Sequence, residues 1–122
     1  MLIPMKAHDD ERGSLTVLEP LPFEPKRIFT VTAGREQRWR GGHALRSCHL
    51  LMVCMWGLVM VDLKPQGTRY DLQPNSTGLL IKPMTWVDYC FCKEGSSIMI
   101  LASELFDAGA YIDDYSEFLR SV

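Results

Sequence analysis

Arg40-Gly41-Gly42-His43-Ala44-Leu45-Arg46 leads into the apolar segment His49 to Trp56. A glycine pair, a histidine and a strand-like run is how a small β-barrel presents an imidazole to its own cavity. Glycine lets the backbone turn tightly, and strand alternation then aims every second side chain inward. The inward positions are therefore His43 and Leu45. An imidazole exchanges protons near neutral pH, and an isobutyl group never does.

Outward from that segment, short β-branched and aromatic runs recur at Ser14–Leu18, Arg27–Thr32, Cys48–Trp56, Leu58–Leu63, Thr68–Leu72, Gly78–Ile81, Trp86–Phe91 and Ser97–Ala102. Breaks fall at Pro20, Pro22 and Pro25, at Gly34, at Gly41-Gly42, at Pro65-Gln66-Gly67, at Pro74-Asn75 and at Lys93-Glu94-Gly95. Many short strands with frequent turn signals indicate a sandwich or barrel rather than βαβ units. Only Tyr111 to Leu119 reads as helical, with Ile112, Tyr115, Phe118 and Leu119 on one face at spacings of three and four. The expected fold is mainly β, a small barrel closed by a short C-terminal helix, in one domain over residues 1–122.

At 122 residues such a domain buries roughly two thirds of its unfolded surface. A net charge of −2 gives no reason to expect nucleic acid or an anionic membrane as partner, although local arginines could still bind a small anion. The start, Met1 to Lys6, lacks the sustained apolar core of a signal peptide. The run Leu50 to Val61 is well short of the ~20 residues of a membrane span. The four cysteines form no C-x-x-C pair and read as buried thiols, so the cytoplasm is the expected location.

Several segments, taken in order, carry a resemblance. They are Asp10-Glu11-Arg12-Gly13-Ser14-Leu15; Pro22-Phe23 with Lys26 to Phe29; Arg40-Gly-Gly-His43-Ala44; the Gly57 turn; Gly78 to Pro83 with Trp86; Leu101-Ala-Ser103; and Tyr111-Ile-x-Asp-Tyr115-x-x-Phe118-Leu119. Over nearly its whole length the chain resembles the WxcM-like cupins, the sugar-nucleotide 3,4-ketoisomerases of dTDP-4-keto-6-deoxyglucose. The resemblance implies a jelly-roll barrel, a homodimer exchanging N-terminal strands, no cofactor, and a place in surface-polysaccharide biosynthesis. It also implies metal-independent movement of a ketone from C4 to C3 through an enediol.

The family supplies a His-Ala-His pair, a tyrosine after the Pro-Phe segment, and arginines for the nucleotide diphosphate. Transferred to this chain, the first histidine falls on His43, the motif arginine on Arg40 and the early arginine on Arg27, and the Asp10 to Gly13 element is intact. The departures are Leu45 in place of the second histidine, Phe29 with Thr30 in place of the tyrosine, and Val87 after Trp86. Loss of one of two proton-transfer groups typically costs about two to four powers of ten in rate.

Each candidate also has a plainer reading. His43 could be a hydrogen-bonded barrel histidine, and its place after Gly-Gly favours catalysis. His49 reads as packed or capping, and His8 as solvated. Arg35, Arg38, Arg40 and Arg46 surround the glycine pair, either as a solvated edge or, for Arg40, as a fork on a diphosphate. Arg12 and Arg27 are candidate ligand contacts. Leu45 and Phe29 are expected to line the same site. Trp86 leads the aromatic candidates because it follows the Pro83 turn at the expected barrel mouth, though tryptophans are more often core. Met52, Met55 and Met60 read as core packing. No metal is expected, since the places of the usual ligands read His43, Leu45, Cys48 to Leu50 and Val87-Asp88. Two functions remain open: an isomerase in which water, Asp88 or His49 completes the relay from His43, and a barrel that binds a nucleotide sugar without turnover.

Overall fold

The computed structural model describes residues 1–122. Twelve strands form in chain order: β1 (Leu2–Pro4), β2 (Lys6–Asp10), β3 (Gly13–Val17), β4 (Arg27–Thr32), β5 (Trp39–Leu45), β6 (Leu50–Trp56), β7 (Val59–Lys64), β8 (Thr68–Leu72), β9 (Thr77–Ile81), β10 (Trp86–Phe91), β11 (Ser97–Ala102) and β12 (Tyr111–Ile112). One helix, α1 (Tyr115–Ser121), ends the chain. Two five-stranded antiparallel sheets, β1-β9-β6-β11-β4 and β12-β5-β10-β7-β8, face one another, and β2-β3 forms a separate two-stranded ribbon.

Side-chain alternation decides what each strand buries. Val59, Val61 and Leu63 of β7 are buried in the 17-residue core between the sheets, while Met60, Asp62 and Lys64 are partly exposed. β6 differs, because Leu50 to Cys54 are buried on both faces. Its Met52 and Cys54 enter the main core. Its Leu51 and Val53, with Leu101, are covered from outside by Ile3, Met5, Leu18, Phe23 and Met99. The N-terminal segment thus wraps the outer face of the first sheet, and β1 pairs with β9 from Leu2↔Leu79 to Pro4↔Thr77.

The second sheet carries a small outer core of Ala44, Trp86, Ile112 and Phe118. Helix α1 closes it. Asp114 caps the helix by accepting from the Ser116 N–H at 2.9 Å, Glu117 sits in the first turn and Arg120 in the last. Phe118 is then fully buried.

Four expected strands, Arg27–Thr32, Thr68–Leu72, Trp86–Phe91 and Ser97–Ala102, match residue for residue. Three readings need correction. The helix begins at Tyr115, because Tyr111 and Ile112 pair with Leu45 and Ala44 instead; Leu119 is exposed. Strand β5 runs through Gly41-Gly42, where a break was expected. Met55 is exposed and Met60 half-buried, leaving Met52 as the core methionine of the three. All four cysteines are free thiols, Cys48 and Cys54 buried and the other two half-buried. No helix is long and apolar enough to cross a membrane.

Candidate active site

The glycine pair that opens the site is a β-bulge. Val87 pairs with His43 and Asp88 with Gly41, so Gly42 is the extra residue on β5. Both glycines have positive φ, +84° at Gly41 and +74° at Gly42. A Cβ on Gly41 would lie 2.6 Å from the Val87 carbonyl oxygen, so only glycine admits this approach of β5 to β10. The bulge also sets which side chains face inward. His43 pairs with the inward Val87, and Arg40, three residues earlier, pairs with the inward Tyr89. Without the extra residue, simple alternation would put Arg40 and His43 on opposite faces.

His43 points into a cavity of about 80 Å³ between the sheets, lined by Phe29, Leu45, Leu50, Met52, Val87, Tyr89, Ile100 and Tyr111. His43 and Leu45 thus share the interior, as alternation requires, and Phe29 lies there with them. Burial lowers the His43 pKa below the usual histidine value, against the opposing pull of Asp113, the Gly41 backbone and Asp88. The ring is therefore neutral at physiological pH, the state in which one nitrogen can accept a proton.

Tyr111 is the residue the sequence did not single out. It pairs with Leu45 across β12 and β5, on the same inward side, and its ring meets the His43 ring edge to face at a centroid distance of 5.0 Å. Arg27 Nη2 donates to the phenol oxygen of Tyr111 at 3.2 Å. The guanidinium lies 4.7 Å from the Phe29 ring centroid and 5.4 Å from that of Phe106, while its Nε is buried without an acceptor. A buried donor left unpaired is costly, and it marks the place where a polar ligand atom would be welcome. The only sequence signal for Tyr111 was its place in the C-terminal motif, where helical spacing masked its role as a strand residue.

The other expected contacts lie elsewhere. Trp86 is not at the barrel mouth: it faces outward from β10, is buried against Phe118 and donates its Nε1–H to Asp88 at 3.2 Å. Asp88, tied to Trp86, faces away from the cavity, so it cannot complete a relay from His43. His49 turns its ring toward Phe23, 6.2 Å away, outside the cavity. Arg40 lines a separate open cleft with Arg35, Glu36, Arg38 and Phe91. Arg12 is exposed in the β2–β3 ribbon and paired with Asp10 at 2.7 Å. No three histidine, cysteine, aspartate or glutamate side chains gather closely enough to hold a metal ion.

Two facing antiparallel sheets around a cavity served by a single strand-borne histidine define a cupin jelly roll. The chain belongs to the WxcM-like, C-terminal (FdtA) family, whose model matches residues 1–122. It is 28% identical over 126 residues to the TDP-4-oxo-6-deoxy-α-D-glucose-3,4-oxoisomerase of Aneurinibacillus thermoaerophilus, covering 99% of this chain and 91% of that one. Among solved structures it is similar to the sugar 3,4-ketoisomerase QdtA from Thermoanaerobacterium thermosaccharolyticum in complex with TDP. There the TM-score is 0.92 and the identity 31%, with 99% of this chain and 92% of that chain covered. It is likewise similar to the TDP-quinovose 3,4-ketoisomerase WlaRB of Campylobacter jejuni, with a TM-score of 0.88, 31% identity, and coverage of 98% and 96%.

Proposed function

We propose that the protein is a sugar-nucleotide 3,4-ketoisomerase acting on a TDP-4-keto-6-deoxy sugar in surface-polysaccharide biosynthesis. The observation that carries this reading is the His43 ring aimed into an apolar cavity, in a chain that matches a TDP-sugar oxoisomerase over 99% of its length. A base adjacent to the sugar carbonyl is the first requirement of the reaction, and a cavity walled by Leu, Met, Val and Ile keeps the reactive enediol from water. Arg27 supplies a cation against Tyr111, the ring that meets His43, and Arg12 and Arg40 are the candidate diphosphate contacts.

A second copy of the chain completes this picture. All five residues of β2 are exposed, and Leu15 of β3 is 64% exposed. A two-stranded ribbon with all of β2 and the first three residues of β3 exposed is marginal by itself, so we assign it to a homodimer contact in which N-terminal strands are exchanged. Arg12, carried on that ribbon, then reaches ligand in the partner rather than in its own barrel. The four free thiols suit a reducing cytoplasm.

The alternative reading, a barrel that binds nucleotide sugar without turnover, is favoured by Leu45 and Phe29, neither of which can carry a proton. Incubation with TDP-4-keto-6-deoxyglucose in deuterated water separates the two. The isomerase reading expects a 3-keto product with deuterium at C4, and exchange at C3 of the recovered 4-keto substrate, both reduced to background in His43→Ala. Unchanged substrate, together with a TDP-induced rise in Tm, establishes binding alone. Failure of TDP, UDP and GDP sugars to raise Tm overturns both.

A further inference from the structure

Movement of a carbonyl along a sugar needs four proton transfers: one off carbon, one onto oxygen, one off oxygen and one onto carbon. His43 can serve the carbons. It cannot serve both oxygens at the same moment, and the residues expected to help it are Leu45 and Phe29. We propose that Tyr111 is the second catalytic residue of this cavity, moving protons on the sugar oxygens while His43 moves them on the sugar carbons. This rests on the ketoisomerase reading above.

Three observations converge on the phenol. It stands directly across the strand pair from Leu45, so it occupies the interior beside the missing imidazole. Its ring touches that of His43, so one substrate can meet both groups. Its oxygen accepts from Arg27, and a guanidinium has no lone pair with which to accept in return. The phenol proton is therefore not used by Arg27 and remains available to a ligand.

Tyr89 is the other phenol lining the cavity, but its ring meets Phe91, whereas Tyr111 meets both His43 and Arg27; the remaining candidates lie outside the cavity. Asp88 is held by Trp86, His49 faces Phe23, and Thr85 and Cys48 border His43 on a side with no room for a ligand.

The steps balance without a co-reactant. Neutral His43 takes the C3 proton; the C3–H electrons form the C3=C4 bond, and the carbonyl electrons move to O4, which takes the Tyr111 proton. The enediol then lies between an imidazolium and a phenolate, with the Arg27 cation beside the phenolate. The phenolate next takes the O3 proton, the O–H electrons form the C3=O3 bond, and the C3=C4 electrons take a proton at C4 from the His43 imidazolium, whose N–H exchanges with solvent. Both residues end as they began.

The test compares wild type, Tyr111→Phe and His43→Asn for conversion of TDP-4-keto-6-deoxyglucose, with TDP affinity measured on each. Tyr111→Phe should lose ~100-fold or more in kcat while TDP affinity stays within about threefold. A Tyr111→Phe enzyme within about threefold of wild type overturns the role of the phenol and leaves the ketoisomerase reading standing. A wild type that binds TDP and converts nothing overturns that reading and this inference together. As a second measurement, free of any packing change from loss of the hydroxyl, 3-fluorotyrosine at position 111 should move the alkaline limb of kcat to lower pH. An unmoved limb overturns the proposal.

Discussion

His43 has no ion-pair partner within the cavity, and its environment does the work a partner would otherwise do. Because burial holds its pKa below the ordinary value of about 6.5, the unfolded chain takes up a proton that the folded chain refuses. The stability contributed by the neutral ring is complete above about pH 6.5 and is lost as the pH falls below it. Thermal melts of wild type and His43→Asn from pH 8 to pH 5 should therefore differ, with the wild type losing Tm faster on acidification. Parallel curves would mean a solvated ring. In activity, the acid limb of kcat should lie below the ordinary histidine range for the same reason. At this scale the sequence is readable for His43 and Leu45, whose inward direction follows from strand periodicity, and for Phe29 through the family resemblance. It was not readable for Tyr111, because the residue's partner in pairing, Leu45, lies 66 positions away and no local pattern records a pairing of that range. Trp86 failed for a related reason: whether a tryptophan next to a turn faces a cavity or a helix depends on where the chain end returns.

Among the elements, β5 is held by a contact that a single methyl group tests. Gly42→Ala meets Asp88 Oδ1 at 3.7 Å and Trp86 Cζ2 at 4.0 Å, both ordinary contacts, and suffers chiefly from its positive φ, a cost of about 1–2 kcal/mol. Gly41→Ala adds a clash with the Val87 carbonyl and should lower Tm at least twice as much. It should also displace His43 and so reduce turnover even where the protein folds. Melting temperatures of the two variants side by side check this, and equal losses would refute the bulge geometry. The central strands were legible because their apolar residues alternate or run continuously between Gly and Pro breaks. β5 was not, since a glycine pair signals a break far more often than a bulge within a continuing strand. β2 is illegible for another reason: Lys6-Ala-His-Asp-Asp10 buries nothing, so no hydrophobic pattern exists to be read, while β1 at three residues is too short to show a period.

For the whole molecule, the proposed homodimer would use the outer side of the first sheet, where the exposed ribbon lies beside an apolar groove lined by Met5, Leu18, Leu51 and Met99. Light scattering should give about twice the 13.9 kDa chain mass. Leu15→Asp, which places a charge on the ribbon without touching the barrel core, should return the monomer with its His43 cavity intact. A monomeric wild type would refute the assignment. The distribution of the three tryptophans has its own consequence. Trp39 and Trp56 stand about half in solvent, under Arg69 and Lys93, while Trp86 alone is sequestered beneath α1. Intrinsic fluorescence therefore carries two separable signals, a quencher-accessible red component from the barrel rim and a shielded blue one from Trp86. The blue component reads out, without any added label, whether the C-terminal helix is seated.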